Sequence, residues 1–285
     1  MSHPAADIFR RAAELNEQDQ RRRGNTLWLE DDHEVIVAGD VHGQRKLLAR
    51  IIAHAALSAN AGRILVLQEL IHGDLDPATG KDRSVDLLLR SARLRLAHPE
   101  QVLFVMSNHT LAQVTGGEIS KDGRGVCKQF ATDTVSAFAE GGDDVLAATL
   151  TFLRSMPLAI RCRNGVFIAH SIPSPQRMDL AGVDILDRVS CDEDLHRGGG
   201  VYEWTWGRNQ TPEQIDALAE TLGVSFFLLS HRPVDGSYEL LCDCAAAITS
   251  DSLRGCIVSF RTDTPFTADD LPTAARLLGA LGSGA

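Results

Sequence analysis

The sequence predicts an α/β fold with crossover connections, and three observations carry that expectation. From residue 35 to residue 106, short apolar runs alternate with longer amphipathic stretches, the rhythm of strand–helix–strand units. Each apolar run stops abruptly on polar residues, as strands do where they leave a buried sheet. A later apolar stretch, LAIRCRNGVFIAH (158–170), is divided by Asn164-Gly165, a strong hairpin signal.

The elements follow in order. Residues 5 to 23 read as an amphipathic helix, with Ile8, Ala12 and Leu15 at helical spacing and Arg21-Arg22-Arg23 closing it, where positive charge suits the helix dipole. VIVAG (35–39) is a strand, followed by Asp40-Val41-His42-Gly43 and a helix over 44–57 with Leu47, Leu48, Ile51, Ile52 and Ala55 on one face. ILVL (64–67) is a strand followed by Glu69, then a helix over 83–98; VLFVM (102–106) is a strand followed by Ser107-Asn108-His109. A long helical region is expected over about 127–156, ending near Pro157. The second arm of the 158–170 hairpin ends in His170, and SFFLLSH (225–231) is a strand ending on His231. YELLCDCAA (238–246) and GCIVSF (255–260) read as two further strands. Residues 174 to 200 are loop-rich and could shape a substrate groove; the region from about 264 reads as a short helix and a frayed tail. With no linker visible, the expectation is one domain over 1–285.

Composition narrows the partners. The chain has 285 residues, a net charge of −10 and a pI near 5.4, so no basic face for nucleic acid is implied. No apolar run is long enough to span a membrane, and the first residues lack the apolar core of a signal peptide. The cysteines Cys127, Cys162, Cys191, Cys242, Cys244 and Cys256 form no CxxC pair. They read as reduced cysteines of a cytoplasmic protein, Cys242 and Cys244 alternating on one face of a strand.

Five apolar runs end on Asp40/His42, Glu69, Asn108/His109, His170 and His231. In an α/β sheet, functional side chains sit just past the carboxyl ends of strands. Residues two apart in an extended chain project to one side, so Asp40 and His42 can reach one cation, while Gly43 allows the turn into the helix. Burying so many ionisable groups without a compensating cation is costly. Mixed Asp, Glu, Asn and His ligation suits Mn, Fe or Zn. The ligand count exceeds one tetrahedral site and fits two metals sharing a carboxylate, a pair that activates water and clamps a phosphoryl group.

The series GDVHG, QELIHG, SNHT, AHSIPSP and SHRPVDGSY resembles the calcineurin-like metallophosphoesterases, and most of all their phosphoprotein phosphatase branch. That branch shows GDxHG, GDxxDRG, GNHE, a single His after a strand, and a final His. The order matches over roughly residues 35 to 245, with Trp206 standing where the family has a tryptophan between the last two segments. The resemblance implies two packed β-sheets flanked by helices, a four-layer α/β/β/α sandwich. It implies that Asp40 and His42 bind a first divalent metal ion, that Asn108, His170 and His231 bind a second, and that Glu69 takes the place of the bridging aspartate. His109 would be the general acid, with direct attack by a metal-bridging hydroxide.

The departures fall in the second motif. Glu69 is one methylene longer than the family's Asp. His72 stands where a carboxylate orients the acid; Asp74, Asp76 or His72 itself are candidates to support His109. Gly73 replaces the arginine that grips phosphate, leaving Arg208, Arg232 and Arg124 as candidate phosphate-binding residues. The expected function is a metal-dependent phosphatase, manganese being one suitable metal, acting on phosphomonoesters such as phosphoserine or phosphothreonine. The alternatives are a pseudophosphatase that binds a phosphorylated partner without turnover, a nucleotide or dinucleoside polyphosphate hydrolase, and a non-phosphate metallohydrolase. The histidines outside the motifs, His3, His33, His54, His98 and His196, read as structural or surface residues.

Overall fold

The computed structural model describes residues 2–121 and 123–282. Helix α1 (Pro4–Glu17) buries Ala5, Ala6, Phe9, Ala12 and Ala13 along one stripe, and a His3 ring nitrogen accepts the Ala5 N–H at its start. It stops six residues short of the expected Arg23. Asp19 captures both the backbone N–H (3.0 Å) and the guanidinium of Arg21, a local alternative to the helical ladder. Arg22–Arg23 instead form strand β1, antiparallel to β2 (Thr26–Leu29).

Strand β3 (Glu34–Asp40), helix α2 (Arg45–Ala55), strand β4 (Arg63–Gln68), helix α3 (Ser84–Ala97) and strand β5 (Val102–Val105) follow the sequence expectation closely. The three strands pair in parallel. Their residues are apolar on both faces because both faces are covered. Val35, Val37, Ile64, Val66, Leu103 and Val105 pack between sheets, while Ile36, Ala38, Leu65, Leu67 and Phe104 pack with the helices. Helix α4 (Asn108–Thr115), the small hairpin β6 (Ser120–Lys121) and β7 (Arg124–Gly125), and helices α5 (Val126–Ala137) and α6 (Gly142–Arg154) come next. The single helical region expected over 127–156 is therefore two helices. Ala139 has φ +47°, outside the right-handed α-helical region, and Gly142 sits where a Cβ would lie 2.2 Å from the Val135 carbonyl oxygen.

The hairpin of β8 (Ala159–Cys162) and β9 (Val166–Ala169) turns at Gly165, φ +86°, as the Asn-Gly pair predicts. After it come α7 (Met178–Ala181), α8 (Gly200–Trp206), α9 (Pro212–Leu222), β10 (Phe226–Leu229), β11 (Tyr238–Cys242), β12 (Ala245–Ile248), β13 (Cys256–Arg261), α10 (Leu271–Ala274) and β14 (Ala275–Leu277). Two expectations are corrected here. YELLCDCAA is a hairpin, not one strand: β11 and β12 are antiparallel and the chain reverses at Asp243-Cys244. The region after 264 is not merely a helix and frayed end: β14 pairs with β13, and Leu278 and Leu281 are buried. Residues 283–285 lie outside the described ones.

The strands form a five-stranded sheet in the order β14-β13-β3-β4-β5 and a seven-stranded sheet in the order β1-β2-β8-β9-β10-β12-β11. Leu27, Ile160, Ile168, Phe226, Leu228, Ala246 and Ile248 of the second sheet share one apolar layer with Val35, Val37, Val66 and Val258 of the first, and helices cover the outer faces. This is the expected two-sheet sandwich. The sheets meet at the end of β3: Asp40 bridges Thr249 in parallel, the Ser250 N–H donates to the Asp40 carbonyl (2.9 Å), and a Cβ at Gly39 would lie 2.4 Å from the Ile248 carbonyl oxygen. Only glycine lets the two sheets come this close.

Candidate active site

The five polar strand ends converge at this junction, though not in one row along one sheet. Asp40, Glu69 and Asn108 follow β3, β4 and β5 of the first sheet, and His170 and His231 follow β9 and β10 of the second. The local reason for Asp40 and His42 sharing a site also differs from the pleat argument. His42 lies beyond the strand with φ +43°, turned back so that its N–H donates to the Glu69 carbonyl at 2.8 Å. Glu69 (φ +45°), His72 (φ +59°) and His231 (φ +65°) share this left-handed conformation. Non-glycine residues held there at the same cluster indicate strain maintained by the surrounding structure, a mark of functional sites.

The side chains crowd together. Asn108 Oδ1 lies 2.8 Å from His170 Nε2 and 3.0 Å from His231 Nδ1. His170 Nδ1 is 3.6 Å from Asp40 Oδ1, and its Nε2 is 3.6 Å from Glu69 Oε2. Ser230 Oγ donates to Asp40 Oδ1 at 2.7 Å, and His42 Nδ1 faces the Ile71 carbonyl at 3.3 Å, leaving His42 Nε2 as its available donor atom. Burial raises the pKa of Asp40, and burial followed by the Asp40 charge raises that of Glu69 strongly. Burial drives His170 well below its ordinary value and His231 to about 3, so both imidazoles are neutral, each with one ring nitrogen that carries no proton. Glu69 Oε1 and His170 Nδ1 are buried with no hydrogen-bond partner among the described residues. A buried and a half-buried carboxylate, orphaned polar atoms and neutral imidazoles at ligand spacing fit a divalent cation centre.

His109 lies in the first turn of helix α4, which is capped by Ser107 accepting the Thr110 N–H. The His109 N–H points to Glu69 Oε2 at 3.4 Å. Its Nδ1 lies 2.9 Å from His72 Nδ1, and His72 Nε2 lies 2.9 Å from Gln113 Oε1. An amide oxygen only accepts, so His72 carries its proton on Nε2 and accepts from His109 through Nδ1. Burial lowers His72 to about 4 and His109 to about 2. His72 is therefore the group placed to orient His109. Asp74 is not: it is exposed and its carboxylate meets Gln44 Nε2. A charged side chain one residue past buried His72-Gly73 finds better solvation outside.

An open cleft of about 450 Å³ lies above the cluster, lined by Asp40, His42, His231, Lys121, Arg208, Arg232 and Arg254 among others. Arg208 Nε donates to His231 Nε2 at 3.0 Å. Arg124 is not a lining residue; it belongs to β7, where its charge acts on Asp82. None of the described residues of 174–200 lines it either. Gly73 leaves no space for a longer side chain, since a Cβ there would lie 2.8 Å from the His42 carbonyl oxygen. Trp206 packs edge-on against His231, ring centroids 6.2 Å apart. Sequence reasoning missed Gln113, Lys121, Arg254 and Ser230. Only Gln113 carried a signal, one helical turn past His109 had a helix been read there.

The two-sheet sandwich with helices on its outer faces is a fold shared with solved protein phosphatases. No known family profile and no curated protein matches the chain. Among solved structures it is similar to a protein serine/threonine phosphatase from Saccharomyces cerevisiae with similarity to human phosphatase PP5, at 14% identity and a TM-score of 0.67, covering 90% of this chain and 81% of that one. It is similar also to the cold-active protein-tyrosine phosphatase of a psychrophile, Shewanella sp., at 14% identity and a TM-score of 0.57, covering 89% and 84%. Among the described residues, no helix is long and apolar enough to cross a membrane.

Proposed function

We propose that the chain is a phosphoesterase that uses two divalent metal ions, Mn, Fe or Zn, to hydrolyse phosphomonoesters, with phosphoserine or phosphothreonine as the substrate class. The observation that carries this reading is the convergence of Asn108 Oδ1 with His170 Nε2 (2.8 Å) and His231 Nδ1 (3.0 Å) beside the buried Glu69 and the half-buried Asp40. Ligand atoms on one cation with bonds of about 2.1 Å stand ~3 Å apart. Asp40, His42 and Glu69 would hold one ion, and Asn108, His170 and His231 the other, with Glu69 between them. Such a pair supplies Lewis acidity toward water and the phosphoryl oxygens.

The chain's own residues supply the rest. His109 would be the acid toward the leaving oxygen: its Nδ1 proton is given to His72, itself fixed by Gln113, so the ring is oriented and the proton it delivers is a second one taken up on Nε2. Arg208, already held against His231, has its remaining N–H groups for a phosphate oxygen, and Lys121, Arg232 and Arg254 make the cleft favourable to a dianion.

A second reading, binding of a phosphorylated partner without turnover, is favoured by one observation. The second motif combines a neutral imidazole at His72 with a Gly73 that has no room for an arginine. Hydrolysis of p-nitrophenyl phosphate by chelator-stripped protein, titrated with Mn²⁺ beside Glu69→Ala, separates the two. Turnover restored by metal and abolished in Glu69→Ala supports the enzyme. Metal binding by folded protein without turnover supports the binding module.

A further inference from the structure

Outside the strand-end cluster, one more group of side chains has ligand geometry. The β11–β12 turn brings Cys242 Sγ to 3.5 Å from Cys244 Sγ, and Cys244 Sγ lies 3.2 Å from Asp216 Oδ1 on α9. We propose that Cys242, Cys244 and Asp216 form a binding site for a thiophilic divalent cation of the zinc class. The inference stands independently of the phosphoesterase reading.

Geometry carries it. Two sulfurs on one tetrahedral zinc, each about 2.3 Å from it, stand ~3.7 Å apart, and a sulfur and a carboxylate oxygen stand ~3.5 Å apart. The observed 3.5 and 3.2 Å need only a small expansion. The spacing is far from the ~2.05 Å of a disulfide. The three donors come from two elements, a hairpin and a helix, so the site is made by tertiary packing and not by the CxC sequence alone. Both cysteines are half-buried and Asp216 is exposed, which gives a cation access while leaving one position to water. The other described cysteines have no such company: Cys127, Cys162 and Cys256 are buried, and Cys191 lies by Asp194.

The site is also remote from Asp40. It sits at the start of β12, whose other end runs to Thr249 beside Asp40, about 13 Å along a four-residue strand. Without a cation, burial and then the Asp216 carboxylate and Cys242 push the Cys244 thiol up. Binding therefore replaces protons: one divalent cation, two thiols and one carboxylate give a dithiolate–carboxylate complex and two released protons.

Cobalt(II) is the probe, titrated into the full chain under a phosphine reductant, whether or not the strand-end cluster also takes an ion. That cluster has no sulfur ligand, so thiolate-to-cobalt charge-transfer absorption reports the cysteine site alone. One equivalent is expected to saturate the band, with two protons released. Cys242→Ser and Cys244→Ser are expected to abolish the band. Asp216→Asn is expected to weaken cobalt binding about tenfold or more. No band at stoichiometric cobalt, a band that persists in Cys244→Ser, or unaltered affinity in Asp216→Asn overturns the proposal. Should Cys244→Ser fail to fold, Cys242→Ser and the exposed Asp216→Asn decide it.

Discussion

His72 Nδ1 lies 2.9 Å from His109 Nδ1, and the opposite nitrogen of His72 lies 2.9 Å from Gln113 Oε1. A chain of two imidazoles and an amide thus sits where a carboxylate would be expected to hold the ring of an acid. A neutral imidazole orients its partner but stabilises the imidazolium less than a carboxylate does.

Removing the acid should therefore depend on the leaving group. His109→Ala is expected to lower kcat by about 10²–10⁴ for a phosphoseryl peptide, whose alkoxide needs a proton. For p-nitrophenyl phosphate, whose phenolate leaves without one, the loss should be much smaller. His72→Ala should follow the same pattern with a smaller loss, with KM little changed. Equal losses on both substrates would remove His109 from the acid role.

Gly73→Arg would restore the arginine of the resembled motif and should not restore its function. A Cβ at position 73 meets the His42 carbonyl at 2.8 Å and Gly43 Cα at 3.0 Å, so the loop carrying His42 must shift. The expected outcome is destabilisation of about 1–3 kcal/mol, read as a lower Tm, together with reduced Mn²⁺ stoichiometry. A variant with unchanged Tm and tighter phosphate inhibition would show that the backbone there yields readily.

Arg208 is the cleft cation already tied to the cluster, through His231 Nε2 at 3.0 Å. Losing a charge-assisted hydrogen bond to phosphate costs about 1.5–3 kcal/mol, so Arg208→Ala should weaken competitive inhibition by inorganic phosphate by roughly tenfold to a hundredfold. Arg232→Ala and Arg254→Ala should have smaller effects. Measuring the inhibition constant for each variant ranks the three.

Stability in acid should report on Asp19. Its side chain is 4% exposed and accepts from Arg21 at 2.6 Å and from Arg95 at 3.0 Å. Burial pushes its pKa up, but the Arg21 hydrogen bonds and charge and the Arg95 hydrogen bond outweigh it, so the net shift is downward. A carboxyl depressed in the folded state contributes fully above its unfolded value of about 3.9, and that contribution is lost as pH falls through the lower folded value. Asp19→Asn should therefore lower stability at pH 7, by about 3–5 kcal/mol given the buried Arg95 left behind, and flatten the decline below pH 4. Denaturant unfolding at both pH values checks the sign.

Much of the fold was legible because its signals are local. The runs at 35–39, 64–67 and 102–106 are apolar on both faces, and a strand so covered stops where polarity begins; Asp40, Glu69 and Asn108 mark those points directly. The misreadings came where a nearby partner outbid the periodic pattern. Asp19 drew Arg21 out of the helix, Ala139 broke one helix into two, and Asp243-Cys244 reversed what looked like a single strand.

By itself, then, the sequence determined which side chains stand at the strand ends, since a strand's end is set by its own residues. Tertiary structure decided which of them meet. Asp40, Glu69 and Asn108 join His170 and His231 only because two sheets close on one another at Gly39 and Thr249. The same closure brings Gln113 behind His72, leaves Asp74 in solvent and fills the space above Gly73. Contacts between residues far apart in the chain depend on how the sheets pack, and no local pattern encodes that distance.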